Sequence, residues 1–308
     1  MELKNIVVVG AGGNVAAPII RKLLADTAHP FTITALTRGG YTPPDPRIAV
    51  ATIPDYTDKA QLTAVLRGHD AVLCCLPGGQ VRLAAQRALI DAAVDAGVKL
   101  FFADEFVADI TAPQYVAMPA LYVGDKIAVR AYLEERAGRG DIGWVALNGG
   151  PFFDMWVRGG PAGFDLKNKK ATIYGTGNNL VCWTLLEHIA TAAHAILRDP
   201  ASFLNRPVFV CGVQGVTQNA ILEALEADMG AFEVERVDIK KMYEEAKGLL
   251  EKGEVRLAMR GLTLNGQFNE EGSAANFWHL VENDKVGVQP VSVKDAVQMT
   301  LAMRESVA

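Results

Sequence analysis

The sequence predicts an α/β protein built on a doubly wound parallel sheet of the Rossmann type, with a smaller α/β cap formed by the C-terminal half. Up to about residue 150, short apolar runs alternate with longer segments of helical period, which is typical of parallel βαβ units. The runs are apolar throughout, as expected of strands that helices cover on both faces. The predicted strands are Asn5–Val9, Phe31–Thr37, Ile48–Ile53, Ala71–Leu76, Val98–Ala103 and Ile142–Leu147. The predicted helices are Asn14–Ala25, Asp58–Leu66, Gln80–Ala96 and Ala120–Arg136.

The rhythm of the sequence changes after residue 150. The segment 151–179 is rich in glycine and predicts loops that leave the sheet, with one short strand at Ala171–Tyr174. Further strands are predicted at Pro207–Cys211 and Phe232–Asp238, and the predicted helices are Trp183–Leu197, Thr217–Met229, Lys240–Glu251 and Ser292–Glu305. We expect residues 1–154 to form the sheet domain and residues 155–308 to form the cap, with some cap segments packing back on the first domain.

Composition and charge exclude several classes of protein. Half of the 308 residues are hydrophobic and 21% are charged, so the chain has enough apolar material for a large core. The net charge of -5 is spread without a block of one sign, which argues against binding of nucleic acid or an anionic membrane. No apolar stretch approaches the length of a membrane span, and strand-like sequence begins by Asn5, so a soluble, cytoplasmic protein is expected.

The cysteines and histidines point to neither disulfides nor a metal. The four cysteines form no CxxC pair and lie in apolar surroundings, which favours buried free thiols and a reducing compartment. The five histidines include no HExxH pattern, so no metal site is predicted. The sequence leaves a homodimer open.

A glycine-rich turn follows the first predicted strand and leads directly into a helix. The segment Gly10–Ala16 has the spacing GxxGxxA with one additional glycine, Gly12. A dinucleotide diphosphate needs close backbone N–H groups and the positive end of a helix, and glycines leave room for both. Glycines also make tight turns that bind nothing, but this strand-turn-helix context favours a cofactor site. The expected contacts are Gly10, Gly12, Gly13, Asn14 and Val15.

The end of the second strand indicates which dinucleotide binds. Thr37 is followed by Arg38, with no carboxylate of the kind that accepts hydrogen bonds from the ribose of NAD. A guanidinium suits a 2′-phosphate, so NADP(H) is predicted, although a solvated arginine at a strand end is the alternative. Asp55 is expected beside the adenine amino group, unless it is a local cap acting with Asp58. Leu76 and Pro77 end the fourth strand, where the cofactor should pass.

Several segments together resemble a known family. The glycine turn, Thr37-Arg38, Gly68–Val72, Val98–Phe106 and Lys126-x-x-x-Arg130 are similar to the NmrA-like branch of atypical short-chain dehydrogenases, which includes isoflavone reductases and fungal aromatic alcohol reductases. The resemblance implies an NADPH-dependent reductase of a small, largely apolar, aromatic or polyketide-like compound. Hydride would pass to a carbonyl, conjugated or benzylic carbon.

The resemblance also implies catalytic residues. In the family, a lysine on the helix after the fifth strand supports catalysis, and Lys126 matches that position. Tyr122 precedes it by four residues, so a continuous helix would place the phenol on the same face, where Tyr122 or water could supply a proton. The alternatives are a structural tyrosine and a surface lysine on a solvated helix face with Arg130 and Glu134. The same YxxxK spacing recurs at Tyr243 and Lys247, which shows how readily the pattern arises.

The sequence departs from the family at one position near the expected site. Isoflavone-type reductases typically carry Pro-Ser-Glu-Phe-Gly after the fifth strand, where this chain has Ala103-Asp104-Glu105-Phe106-Val107. The two carboxylates are expected to cap the following segment or, alternatively, to hold a polar group of the substrate.

The exit from the sixth strand should form the rest of the pocket. Asn148, Gly149 and Pro151 lie at the carboxyl edge of the predicted sheet, where open α/β sheets bind ligands, and are expected near the nicotinamide. The expected substrate contacts are Phe152, Phe153 and Trp156.

Two other functions remain open on the sequence alone. The family contains regulators that bind the dinucleotide as a redox signal without turning it over, and a bound cofactor could also serve an isomerase. Lys126 with its spacing to Tyr122 favours an enzyme.

Overall fold

A parallel sheet organises the computed structural model, which describes residues 1–76, 83–118 and 120–305, with the backbone alone at residues 120–122, 304 and 305. In chain order the strands are β1 (Asn5–Val9), β2 (Thr32–Thr37), β3 (Ile48–Thr52), β4 (Ala71–Cys74), β5 (Leu100–Ala103), β6 (Gly143–Asn148), β7 (Phe164–Asp165), β8 (Lys170–Tyr174), β9 (Val181–Trp183), β10 (Arg206–Phe209), β11 (Val213–Val216) and β12 (Glu233–Val237). The helices are α1 (Ala16–Ala25), α2 (Lys59–Leu66), α3 (Leu83–Asp95), α4 (Pro113–Val116), α5 (Ala120–Gly138), α6 (Phe153–Gly159), α7 (Leu186–Arg198), α8 (Gln218–Met229), α9 (Ile239–Glu251), α10 (Val255–Phe268) and α11 (Val293–Glu305).

The central sheet confirms the predicted fold class. Its described strands lie in the order β10-β6-β5-β4-β1-β2-β3, and every neighbouring pair is parallel. All six strands predicted before residue 150 are present, and β10 from the second half of the chain extends the sheet at one edge. The chain leaves β1 towards β2 on one side and returns through β4 on the other. This reversal opens a crevice at the carboxyl ends of β1 and β4, where ligands bind in sheets of this type.

Helices cover both faces of this sheet. On one face, α1 and α7 pack with strand residues such as Ile6, Val8 and Ile33 into one apolar core. On the other face, α2, α3 and α5 pack against the alternate strand residues, including Val7 and Val9. Because side chains alternate across a strand, two cores of this kind require strands that are apolar at every position.

Asp70 fixes the amino ends of three central strands. Its carboxylate accepts hydrogen bonds from the backbone N–H groups of Lys4 and Asn5 at 2.9 Å each and from the Lys99 ammonium at 2.7 Å. The residue precedes β4, while its partners flank β1 and β5. These bonds give the Gly68–Val72 segment a structural role far from the crevice.

The second half of the chain builds a third apolar core. A three-stranded sheet of order β12-β8-β7 and the antiparallel pair β11-β9 share this core with α6, α8 and α10. Two helices here differ from the sequence-based expectation: α6 lies in the segment predicted as loops, and α10 was not predicted. Trp183 ends β9, so the helix predicted from that residue begins later, at Leu186.

Some of the second half packs on the first. Strand β10 pairs with β6, placing Val208 beside Leu147, and α7 belongs to the core shared with α1. The division near residue 154 stays a prediction. None of the helices in the described ranges is both long enough and apolar enough to cross a membrane.

A matched pair of glycines tests the packing at the end of β1. Gly10 and Gly68 have φ values of +79° and +80°, but only at Gly10 would a Cβ atom meet neighbouring atoms, at 2.4 Å from the Cys75 carbonyl oxygen. Gly68→Ala should lower the free energy of unfolding by about 1–2 kcal/mol, the cost of the left-handed backbone. Gly10→Ala should cost about 1–3 kcal/mol more because the strands must also separate. Urea unfolding measures both, and equal losses would contradict the close packing.

Candidate functional site

The glycine turn lies at the crevice between β1 and β4. The N–H of Gly13 donates to the carbonyl of Gly10 at 2.9 Å, which closes the turn immediately before α1. Val15 occupies the cap position of α1 and makes no side-chain hydrogen bond to the helix. The first turn of the helix is therefore not capped by that side chain, and its positive end faces the crevice. Ala16 is fully buried, so the helix packs tightly on the strand.

A large cleft runs from this turn along the end of β2. Its volume is about 690 Å³. The residues that line it are Gly10, Ala11, Gly12, Gly13, Leu36, Thr37, Arg38, Gly39, Gly40, Tyr41, Pro54, Tyr56 and Leu76. None of these described lining residues is acidic. Arg38 lies at the far end, with its guanidinium carbon 5.8 Å from the centre of the Tyr56 ring, and the Tyr56 hydroxyl donates to the carbonyl of Leu36 at 3.2 Å. The cleft thus offers glycine backbone at one end and a cation at the other.

A smaller cavity adjoins the cleft. It has a volume of about 290 Å³. Its lining residues are Gly13, Asn14, Val15, Cys75, Leu76, Asp104, Glu105, Phe106, Val107, Lys126, Phe152 and Met155. Gly13 and Leu76 line both spaces, so the glycine turn stands between Arg38 and Lys126. An elongated ligand lying over the turn would reach both residues.

Lys126 points into the core of the site. Its side chain is 15% exposed, and its ammonium donates hydrogen bonds to the backbone carbonyls of Asp104 at 2.6 Å and Glu105 at 3.1 Å. The alternative of a solvated surface lysine is therefore wrong. The lysine fastens α5 to the segment that follows β5 and contributes a positive charge to the wall of the cavity.

Asp104 is a buried carboxyl group beside this lysine. Its Oδ1 atom lies 3.8 Å from the Lys126 Nζ atom, and its Oδ2 atom is buried with no hydrogen-bond partner among the described residues. Burial raises its pKa to about 6, against the opposing effect of Lys126. The expectation that Asp104 caps the following segment is wrong, since the next helix begins after Ala112.

Glu105 has a structural partner. Arg130 donates to its carboxylate twice, from Nε to Oε1 at 2.7 Å and from Nη2 to Oε2, and Asn148 donates to Oε2 at 3.0 Å. All three side chains are buried. The network explains the Lys126-x-x-x-Arg130 spacing, because one face of α5 holds the backbone of residues 104 and 105 with the lysine and the Glu105 side chain with the arginine. Asn148, which was expected near the nicotinamide, donates its side-chain N–H to Glu105 in this network.

Asp55 is occupied locally. Its carboxylate accepts hydrogen bonds from the N–H of Thr57 at 2.8 Å and from its hydroxyl at 2.7 Å, and these bonds lower the pKa of Asp55. Asp58 caps α2 by accepting from the N–H of Gln61 at 3.0 Å. This geometry matches the alternative that Asp55 stabilises a local turn. The next residue, Tyr56, lines the cleft, whereas Asp55 does not.

The exit from β6 contributes fewer residues than expected. Phe152 lines the small cavity, together with Met155. Phe153 is fully buried with its ring 5.7 Å from that of Trp183, and Trp156 packs against the same ring at 5.9 Å.

Two more of the expected contacts are buried in protein. Gly149 packs against Ile189 and Thr184, and the buried Pro151 accepts a backbone hydrogen bond from Thr184 at 3.2 Å. Neither is among the residues that line the two spaces.

Two expected residues lie outside what the structure describes. Pro77 is one, and the side chain of Tyr122 is the other. The backbone of α5 is nevertheless continuous from Ala120 to Gly138, so positions 122 and 126 are one turn apart on the same helix.

Sequence reasoning missed some lining residues. Tyr41 is the clearest case, since its ring is the nearest neighbour that a Cβ atom at Gly12 would meet, at 3.3 Å. Its position after Gly39 and Gly40 was the only available signal. In the described part of the chain, no cluster of three or more histidine, cysteine, aspartate or glutamate residues could hold a metal ion.

Comparison with known proteins identifies similar chains and structures. A model described as the NmrA-like family matches residues 2–139. Oxidoreductase aprR of Aspergillus flavus is 30% identical over 264 residues, which cover 84% of this chain and 86% of aprR. The complex of leucoanthocyanidin reductase with NADPH from Vitis vinifera superimposes with a TM-score of 0.74 at 17% identity, covering 97% and 99% of the two chains. An isoflavone reductase structure gives a TM-score of 0.70 at 19% identity, with 97% and 95% covered.

The buried ion pair between Arg130 and Glu105 should support the fold as well as the site. Arg130→Ala leaves Glu105 buried without its cation and should lower the free energy of unfolding by about 3–5 kcal/mol. Arg139, the residue that follows α5, pairs with Glu135 of that helix at the surface, so Arg139→Ala should cost less than about 1 kcal/mol. Urea unfolding compares the two variants. A similar small loss in both would show that the buried pair does not anchor the segment after β5.

Proposed function

Because the chain belongs to the NmrA-like family, we propose that it is an NADP(H)-dependent reductase of a small, largely apolar compound, aromatic or polyketide-like. The family predicted from the sequence motifs is confirmed by the similarity to aprR and by the family model. The relative aprR is named an oxidoreductase, which supports the assignment of this chain as an enzyme. The observation that carries the proposal is the cleft that leads from Arg38 over the Gly10–Gly13 turn to a cavity holding Lys126.

The turn fits a dinucleotide diphosphate. A Cβ atom at Gly10 would clash with the Cys75 carbonyl oxygen at 2.4 Å, and one at Gly12 would lie close to the Tyr41 ring at 3.3 Å. The glycines leave the backbone N–H groups beside the positive end of α1 open to the diphosphate. At the other end of the cleft, Arg38 and the absence of an acidic residue in the described lining favour the 2′-phosphate of NADP(H) over the free ribose of NAD. The leucoanthocyanidin reductase of similar fold is a complex with NADPH, which supports the same choice.

The small cavity would hold the reacting groups. NADPH, when bound, supplies a hydride for a carbonyl, conjugated or benzylic carbon. Phe106, Val107, Phe152 and Met155 provide apolar walls, while Lys126 provides a fixed positive charge. A cavity of about 290 Å³ suits a small substrate. Tyr122, one turn before Lys126, and water are the proton donors expected from the sequence.

Replacement of Lys126 tests the enzyme assignment. Lys126→Met should lower the rate of NADPH oxidation with a panel of aromatic carbonyl compounds by about 100-fold or more, because the fixed charge near the reacting oxygen is lost. The affinity for NADPH, measured by fluorescence titration, should stay within a few-fold. Lys247→Met is the matched control, since Lys247 has the same spacing to a tyrosine but is 42% exposed and outside the cavity. Equal rates in the wild type and Lys126→Met would remove the lysine from the reaction.

Replacement of Arg38 tests the choice of cofactor. Arg38→Glu removes the cation proposed to bind the 2′-phosphate and adds a carboxylate that can bind a ribose. The ratio of NADPH affinity to NADH affinity should fall by about 10- to 100-fold or more, as measured by titration with each cofactor. Arg67→Glu makes the same charge change at an exposed position after α2 and should leave the ratio unchanged. An unchanged ratio in Arg38→Glu would contradict the phosphate assignment.

A further inference from the structure

We propose that Asp104 is the acid that gives its proton to the substrate oxygen when a carbonyl compound is reduced in this site. The inference rests on the proposed function and deepens it, because it assigns the proton to a named carboxyl group of the site. Asp104 follows β5 directly and shares the small cavity with Lys126 and Phe152.

The environment of Asp104 favours the neutral acid. Its side chain is 5% exposed, and Oδ2 is buried with no hydrogen-bond partner in the described part of the protein. A carboxylate in such a place loses most of its hydration, which the Lys126 ammonium offsets only in part, whereas a carboxylic acid loses much less. The unpaired oxygen is therefore a geometric sign that this environment disfavours the carboxylate relative to the acid.

The charged and titratable neighbours set the balance between the two forms. Lys126 of α5 favours the carboxylate from 3.8 Å, and Glu105 opposes it, although Arg130 pairs with Glu105. On the side of β4, burial raises the pKa of the Cys74 and Cys75 thiols, which keeps them uncharged. The pKa of Asp104 is raised to about 6 by burial, in the range where a general acid works well near neutral pH.

Lys126 is a poorer proton donor than Asp104 in this arrangement. Its ammonium already donates to the backbone carbonyls of Asp104 and Glu105, at 2.6 and 3.1 Å. Loss of a proton would weaken the bonds that hold the segment after β5. The lysine is better placed to stabilise the carboxylate that Asp104 becomes after it has given its proton away.

The reaction balances with a reduced nicotinamide as the reductant. When bound, it would supply a hydride for a new bond to the carbonyl carbon, and the π electrons of the C=O bond would move to the oxygen. That oxygen takes the proton of Asp104, so that an alcohol, an oxidised nicotinamide and the Asp104 carboxylate result. The carboxylate then faces the Lys126 ammonium until a proton from water restores the acid.

The first test needs no substrate and no cofactor. Infrared difference spectra between the wild type and Asp104→Asn should show one protonated carboxyl band that disappears as the pH rises through about 6. Lys126→Met should move that disappearance to higher pH, because a stabilising cation is lost. Asp154→Asn is the matched control. Asp154 is also buried, but it accepts hydrogen bonds from the N–H groups of Met155 and Leu186 and lies outside the cavity lining. The Asp154→Asn variant should therefore retain the band. The proposal is overturned if Asp104 is ionised at pH 5, or if Lys126→Met leaves the pH of its titration unchanged.

The second test follows hydride transfer in a single turnover with NADPH and an aromatic carbonyl compound. The wild-type rate should fall as the pH rises above the pKa of Asp104, whereas Asp104→Asn, which is similar in shape to the neutral acid, should be slower by about 100-fold or more without that fall. NADPH affinity should stay within about threefold, which would show that the variant is folded.

The outcomes separate this proposal from the proposed function. An Asp104→Asn variant that keeps the wild-type rate and pH profile overturns the role of Asp104 alone. Loss of the alkaline fall in Tyr122→Phe, with the fall kept in Asp104→Asn, assigns the proton to Tyr122 and also overturns it. A wild type that binds NADPH but reduces no carbonyl compound contradicts the reduction of carbonyls itself, and the role of Asp104 falls with it.

Discussion

The carbonyl oxygen of Cys75 lies so close to Gly10 that a Cβ atom at residue 10 would be only 2.4 Å from it. The ends of β1 and β4 can therefore approach each other only if residue 10 has no side chain and adopts a positive φ. The turn that follows brings α1 to the crevice at the point where the strand order reverses. The cleft, its glycine backbone and the proposed diphosphate site all depend on this one close approach.

Helix α5 completes the site from the other side of the crevice. Lys126 and Arg130, one turn apart, hold the segment after β5 by its backbone and by the Glu105 side chain respectively. This arrangement places Asp104 in a largely apolar wall beside the Lys126 ammonium. A carboxyl group held there is forced towards its neutral form while the charge needed to stabilise its ionised form stays within 3.8 Å. The same helix face thus serves the fold and the chemistry.

The sequence predicted the parallel sheet well because its strands are apolar at every position and the helices between them are periodic. The sequence did not predict α10, because Gly261 and Gly266 are residues typical of loops. In the structure a glycine is needed at position 261 for close packing of α10 on α9, since a Cβ atom there would be 2.7 Å from the Cβ atom of Ala246. The sequence placed the glycine turn and Lys126 near the crevice because each belongs to a motif that directly follows a predicted strand or lies on the helix after it. The environment of Asp104 could not be predicted, since its burial and its unpaired oxygen depend on contacts between distant segments.

A crystal structure with NADP⁺ bound tests the central claim most directly. The account predicts that the diphosphate lies over the backbone of residues 10–13, the 2′-phosphate contacts Arg38, and the nicotinamide enters the cavity beside Lys126 and Asp104. A coenzyme bound elsewhere, or one whose nicotinamide points away from that cavity, would contradict it.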